Sequence, residues 1–180
     1  MSLERIMEEF TDINNNPIGN CGVTVGLEND NYREWIASIL GPKDTSYRGG
    51  VFFFSAKFPY NFPEKPPEVC FVTPIYHVNV NPKAPKIVSE GIESLGHVCL
   101  PTLNWWKPEF RMREVFTNLF ALFYMANPDS PYGLDRADEF RYNRTVYEDK
   151  IKYFTRKYAN PLENHNKKYD RNKDWDFSYN

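Results

Sequence analysis

Residues 51 to 73 constrain the fold most: two runs of alternating apolar residues flank a segment that cannot join a hydrogen-bonded ladder. Phe52, Phe54, Ala56 and Phe58 recur at period two, the spacing that places side chains on one face of a strand, so that face is expected in the core. In residues 60–67, Pro63, Pro66 and Pro67 remove donors and fix φ, which makes a stiff connector. Alternation resumes at Val69, Phe71 and Thr73. Upstream, residues 23–27 and 32–40 are short β-leaning runs around the turn chemistry of Glu28-Asn29-Asp30-Asn31. Together these runs predict a four-stranded antiparallel meander.

Helical spacing appears on either side of it. Leu3, Ile6, Met7, Phe10 and Ile13 fall on one face of an N-terminal helix, with Glu4, Glu8, Glu9 and Asp12 on the others. Asn14-Asn15-Asn16-Pro17 stops it. Residues 112–125 carry Met112, Val115, Phe116, Leu119, Phe120, Leu122 and Phe123, apolar on most sides, as expected of a central helix packed on the sheet. Asn127-Pro128-Asp129-Ser130-Pro131 ends it. From Leu134 the spacing of Ala137, Phe140, Tyr147, Ile151, Phe154 and Tyr158 predicts two C-terminal helices, or one kinked near Asn143 and Arg144. The fold class is therefore α/β of the α+β kind, a meander flanked by N-terminal, central and C-terminal helices. Residues 162–180 read as a C-terminal tail in which Trp175, Phe177 and Tyr179 could dock.

A chain of 180 residues fits one domain and can bury a core without staples. Its net charge of -2 and lack of a long basic run argue against nucleic acid as a partner. No apolar run approaches a membrane span, and the first residues lack a leader's basic and apolar regions, so a cytoplasmic or nuclear location is expected and no membrane partner. The three cysteines, Cys21, Cys70 and Cys99, are odd in number and lack a Cys-x-x-Cys pair. Neither a disulfide framework nor a zinc site is indicated, and at least one thiol stays free.

The chemistry-bearing stretch is Tyr76-His77-Val78-Asn79, a long connection that reads as an irregular loop, and Gly96-His97-Val98-Cys99-Leu100-Pro101-Thr102-Leu103. A thiol is nucleophilic enough to exchange one thioester for another without a strong base beside it. The product can then be attacked by an amine, and an Asn amide aimed at the tetrahedral oxygen is worth about 3 kcal/mol. Cys99 is the candidate nucleophile and Asn79 the candidate amide, whereas Cys21 and Cys70 read as packing residues. His97 and His77 are possible bases for a Cys/His hydrolase, although the surrounding signature of one is missing. His77 fits better as a structural residue bonded to the turn that presents Asn79. A metal site from His77, His97 and Cys99 lacks the usual spacing, and no cofactor is implied.

These residues, with Trp35, Gly41-Pro42, Tyr47-Arg48-Gly49-Gly50-Val51-Phe52, Phe62-Pro63-Glu64-Lys65-Pro66-Pro67, Trp106-x-Pro108, Asn127-Pro128-Asp129-x-Pro131 and Lys157-Tyr158-Ala159, come in an order that resembles the ubiquitin-conjugating enzymes. The resemblance runs over residues 1–161, a single core domain with an inserted loop at about 81–96. It implies that Cys99 takes ubiquitin or a ubiquitin-like protein from an activating enzyme as a thioester and passes it to a lysine, usually with a ubiquitin ligase. It also implies that Asn79 supports the oxyanion or the adjacent loop, and that Ser130 lies near the approaching lysine in a positional role.

Departures from the family pattern bear on partners more than on fold. His77-Val78-Asn79 stands where His-Pro-Asn is usual, and Cys99 follows Asn79 by twenty residues where about eight are usual. Loop-closure scaling puts the entropic cost of that insertion at only about 0.8 kcal/mol. The first helix is acidic where basic residues usually meet the activating enzyme. Glu64 replaces a ligase-facing Phe, Lys107 and Glu109 flank Pro108, and Pro101 stands where Asp is common. The rival class is a non-catalytic module that holds a modifier or a partner enzyme.

Overall fold

The computed structural model describes residues 2–19, 21–88, 91–164 and 171–179. Helix α1 (Ser2–Asn15) leads into strands β1 (Thr24–Glu28), β2 (Asn31–Leu40), β3 (Val51–Lys57) and β4 (Glu68–Phe71), a sheet in the order β1-β2-β3-β4. All three pairings are antiparallel, the four-stranded meander expected from the alternation. The β1–β2 turn is made by Asn29 and Asp30 at φ of 52° and 58°, the left-handed region that Asn and Asp tolerate best among residues with a side chain.

Phe52, Phe54, Ala56 and Phe58 are all buried, and helix α3 (Met112–Leu122) covers their face with Met112, Val115, Phe116 and Leu119. Trp35, fully buried, joins three elements, with ring centroids 5.4 Å from Phe10 of α1, 4.6 Å from Phe58 and 6.3 Å from Phe116. Burying each such ring contributes about 2–3 kcal/mol. Helices α4 (Leu134–Tyr142) and α5 (Arg144–Tyr158) follow, broken at Asn143, and a short α6 (Pro161–Asn164) closes the helical part.

Three details differ from the periodicity. Glu9, grouped with the solvent-facing acids, is buried, while Leu3 and Met7 are exposed. Its carboxylate accepts the Met112 N–H at 2.8 Å and the Arg5 Nε–H at 2.7 Å. Met112 is the first residue of α3, whose N–H has no partner within its own helix, so Glu9 supplies the missing acceptor from α1. The central helix also ends at Leu122, three residues earlier than its apolar run, where Phe123 begins a tighter turn.

The third detail is the connection before Cys99, which contains a two-stranded hairpin of β5 (Lys86–Val88) and β6 (Gly91–Glu93). The end of the chain packs against its base. Trp175 is 8% exposed, its backbone N–H donates to the Pro82 carbonyl at 2.9 Å, and Asp174 accepts from the Ala84 N–H at 2.7 Å. Phe177 packs on Phe154 and Tyr76 at 4.8 and 5.3 Å. Aromatic area of this size is worth more buried than left in water, even near a chain end.

Candidate active site

Cys99 sits where two extended segments meet beside β4. Its N–H donates to the Asn79 carbonyl at 2.9 Å, Val80 bridges Val98, and the Phe71 N–H donates to the Gly96 carbonyl at 2.8 Å. Gly96 has φ of 78°, and a Cβ there would lie 2.0 Å from the Phe71 carbonyl oxygen, so only glycine fits this approach. The short helix α2 (Pro101–Asn104) begins two residues after Cys99, with proline at its first position. One helical turn carries Asn104 back over Leu100, whose carbonyl accepts the Asn104 N–H at 2.9 Å.

The turn at 77–79 is held from every side. His77 is buried; its Nδ1 accepts the Asn79 N–H at 3.0 Å, so the ring proton is on Nε2, which donates to the Leu122 carbonyl at 3.0 Å. Burial lowers its pKa from 6.5 to about 4, helped by the Arg136 guanidinium and opposed by the Leu122 hydrogen bond. The Val78 N–H, which a proline would lack, donates to the Tyr147 hydroxyl at 3.2 Å. Arg136, itself buried, donates to the His77 carbonyl at 3.3 Å and lies 4.7 Å from the Tyr76 and Phe177 ring centres.

Asn79 is 1% exposed, and all of its amide bonds go to the loop ahead of α4. Nδ2 donates to the Asn127 and Ser130 carbonyls at 2.8 and 2.9 Å, and Oδ1 accepts the Asn127 N–H at 2.8 Å. This side chain therefore fixes the backbone of Ser130, whose Oγ lies 3.4 Å from Cys99 Sγ. A residue that sequence reasoning missed completes the site: Asn104 Nδ2 donates to Cys99 Sγ at 3.3 Å. Proline at the first position of a helical turn, with an amide at its end, is the signal that could have found it.

Cys99 is half-exposed and Cys21 likewise, whereas Cys70 is 7% exposed and burial pushes its thiol far up. His97 hydrogen-bonds the Tyr132 hydroxyl at 2.6 Å. Both nitrogens of His77 are engaged away from the sulfur, so its imidazole is not placed as a base toward Cys99. Among the described residues no cluster of three or more His, Cys, Asp or Glu side chains is placed to hold a metal ion, and no helix is long and apolar enough to cross a membrane. The arrangement is a half-exposed thiol with two polar side chains at its sulfur, on a scaffold braced beneath it.

The family model described as ubiquitin-conjugating enzyme matches residues 5–155. Among solved structures, a Plasmodium yoelii chain provisionally described as a ubiquitin conjugating enzyme superposes with a TM-score of 0.73 at 28% identity, over 88% of this chain and 95% of that one.

Proposed function

Because the chain belongs to the ubiquitin-conjugating enzyme family, we propose that it carries ubiquitin or a ubiquitin-like protein as a thioester on Cys99 and delivers it to a substrate lysine. The partners in this reading are an activating enzyme, the modifier and a ligase, in the cytoplasm or nucleus. The observation that supports it is the setting of Cys99, a half-exposed thiol with Ser130 Oγ and Asn104 Nδ2 at 3.4 and 3.3 Å.

The chemistry asks little else of the protein. Cys99 sulfur attacks the carbonyl carbon of the activating enzyme's thioester; a C–S bond forms as the old one breaks, and the released thiolate takes up the proton that Cys99 gave up. A lysine amine then attacks the same carbon, the Cys99 C–S bond breaks, and the amine's proton neutralises the sulfur. Asn79 acts in this scheme by holding the 127–130 loop beside the sulfur, and His77 by holding Asn79.

The experiment is a charging assay with ATP, ubiquitin and its activating enzyme, run beside ubiquitin-like modifiers with theirs, on wild type and Cys99→Ser. A reductant-sensitive adduct on wild type, absent or reductant-resistant in the variant, is the expected result. If a folded wild type is charged by no modifier, the acyl-carrier reading fails.

A further inference from the structure

We infer that Asn104, and not Asn79, is the side-chain amide that serves the reacting sulfur; this rests on the reading of Cys99 as an acyl carrier. Asn79 has no hydrogen to give. Both of its amide hydrogens go to the Asn127 and Ser130 carbonyls, and it is almost fully buried, so turning it toward a tetrahedral oxygen would strand a carbonyl it now satisfies. Asn104 is in the opposite position. It is exposed, one amide hydrogen points at Cys99 Sγ at 3.3 Å, and its other amide hydrogen and its oxygen make no bond to the described residues. Its backbone is nonetheless fixed, by the bond to the Leu100 carbonyl and by Leu103, which is 8% exposed in the core.

An N–H donor at the sulfur acts in both acyl transfers. When Cys99 attacks the incoming thioester, its sulfur carries negative charge until the new C–S bond forms. When the lysine amine attacks, the sulfur leaves with the electron pair of the breaking C–S bond and regains that charge. A hydrogen bond to sulfur strengthens as the charge grows, so it favours the transition states over the resting thiol and the resting thioester. The second amide hydrogen is free to follow the carbonyl oxygen, which is bonded to the carbon held by that sulfur. Ser130 Oγ, at 3.4 Å, is a second and uncharged neighbour.

The test compares Asn104→Ala, Asn104→Asp and Asn79→Ala with wild type in three measurements: thermal unfolding, single-turnover discharge of a preformed thioester to free lysine, and alkylation of Cys99 by iodoacetamide, followed by mass spectrometry. Asn104→Ala should melt as wild type does and discharge about tenfold more slowly, the loss expected for one hydrogen bond to an ionic acceptor. Asn104→Asp, which offers oxygen and charge in place of N–H, should be slower still. Asn79→Ala should lose stability before anything else.

Wild-type discharge by Asn104→Ala, with Asn79→Ala slowed at unchanged stability, would overturn the inference and leave the acyl-carrier reading standing. If no modifier charges wild type, that reading falls by itself. The alkylation rate then decides the contact: slower alkylation of Asn104→Ala supports it, and an equal rate refutes it.

Discussion

Lowering the pH from 7.5 to 5.5 should destabilise this protein through His77. In the fold, the Asn79 N–H points at Nδ1 and the Leu122 carbonyl accepts from Nε2. A second ring proton would therefore face a donor, in a buried place, near the Arg136 guanidinium. The imidazole takes up that proton only near pH 4 in the folded chain, against 6.5 ordinarily. Between these values the unfolded chain binds more protons, so stability is fully present above pH 6.5 and is lost as pH falls toward 4.

At about 1.4 kcal/mol for each tenfold change in proton affinity, the full loss is about 3 kcal/mol, of which about 1.3 kcal/mol is gone by pH 5.5. The assay is urea unfolding at both pH values for wild type and His77→Gln. The variant is expected to be less stable at pH 7.5, because it disturbs both hydrogen bonds of a buried ring, and to lose less on acidification. Parallel losses in the two proteins would show that other groups titrate and that the buried imidazole does not govern this window. The acidic side chains held low by partners, such as Asp12 beside Arg113 and Asp174 at the Ala84 N–H, stay ionised at pH 5.5 and do not confuse the comparison.

Three further outcomes follow from the geometry. Gly96→Ala should cost roughly 3 kcal/mol or more, since it adds a side chain at positive φ and drives a Cβ into the Phe71 carbonyl; a melting temperature near wild type would mean that β4 and the Cys99 segment are not in this register. Trp175→Ala should lower stability by about 3 kcal/mol, whereas an unchanged urea midpoint would show that the C-terminal segment leaves the hairpin base at little cost. Native labelling with a thiol reagent should modify Cys99 while Cys70 waits for unfolding, because Cys70 is buried and its thiol is held protonated; rapid native labelling of Cys70 would contradict its place in β4.

What could be read in the sequence was what repeats. Period-two Phe residues announced β3 and its buried face, and the prolines of 60–67 announced a connector, because both signals are local and steric. The α4–α5 break at Asn143 was legible for the same reason. The burial of Glu9 is not legible locally, because it is decided by the Met112 N–H, 103 residues away, which lacks a partner in its own helix. The hairpin at 86–93 was hidden by a Pro, Gly and charge mixture that normally signals irregular chain. Asn104 was invisible because its partner is a sulfur five residues back, and the single helical turn that joins them is too short to carry a period.

The same distinction explains how the chain tolerates a separation of twenty positions from Asn79 to Cys99. Val78, Asn79, Val80 and Asn81 are all buried, and alternation gives the pairs different work. The valines enter the core, Asn79 holds the 127–130 loop, and Asn81 closes the neck of the insertion. Asn81 donates from its backbone to the His97 carbonyl at 2.9 Å and from Nδ2 to the Ser94 carbonyl at 2.9 Å, and its carbonyl accepts the Gly96 N–H at 2.8 Å. The insertion thus leaves and returns through one asparagine. Cys99 lies beyond that closure, paired to the Asn79 carbonyl. The contacts at Cys99 itself come from the Asn79 carbonyl, Ser130 Oγ and Asn104 Nδ2.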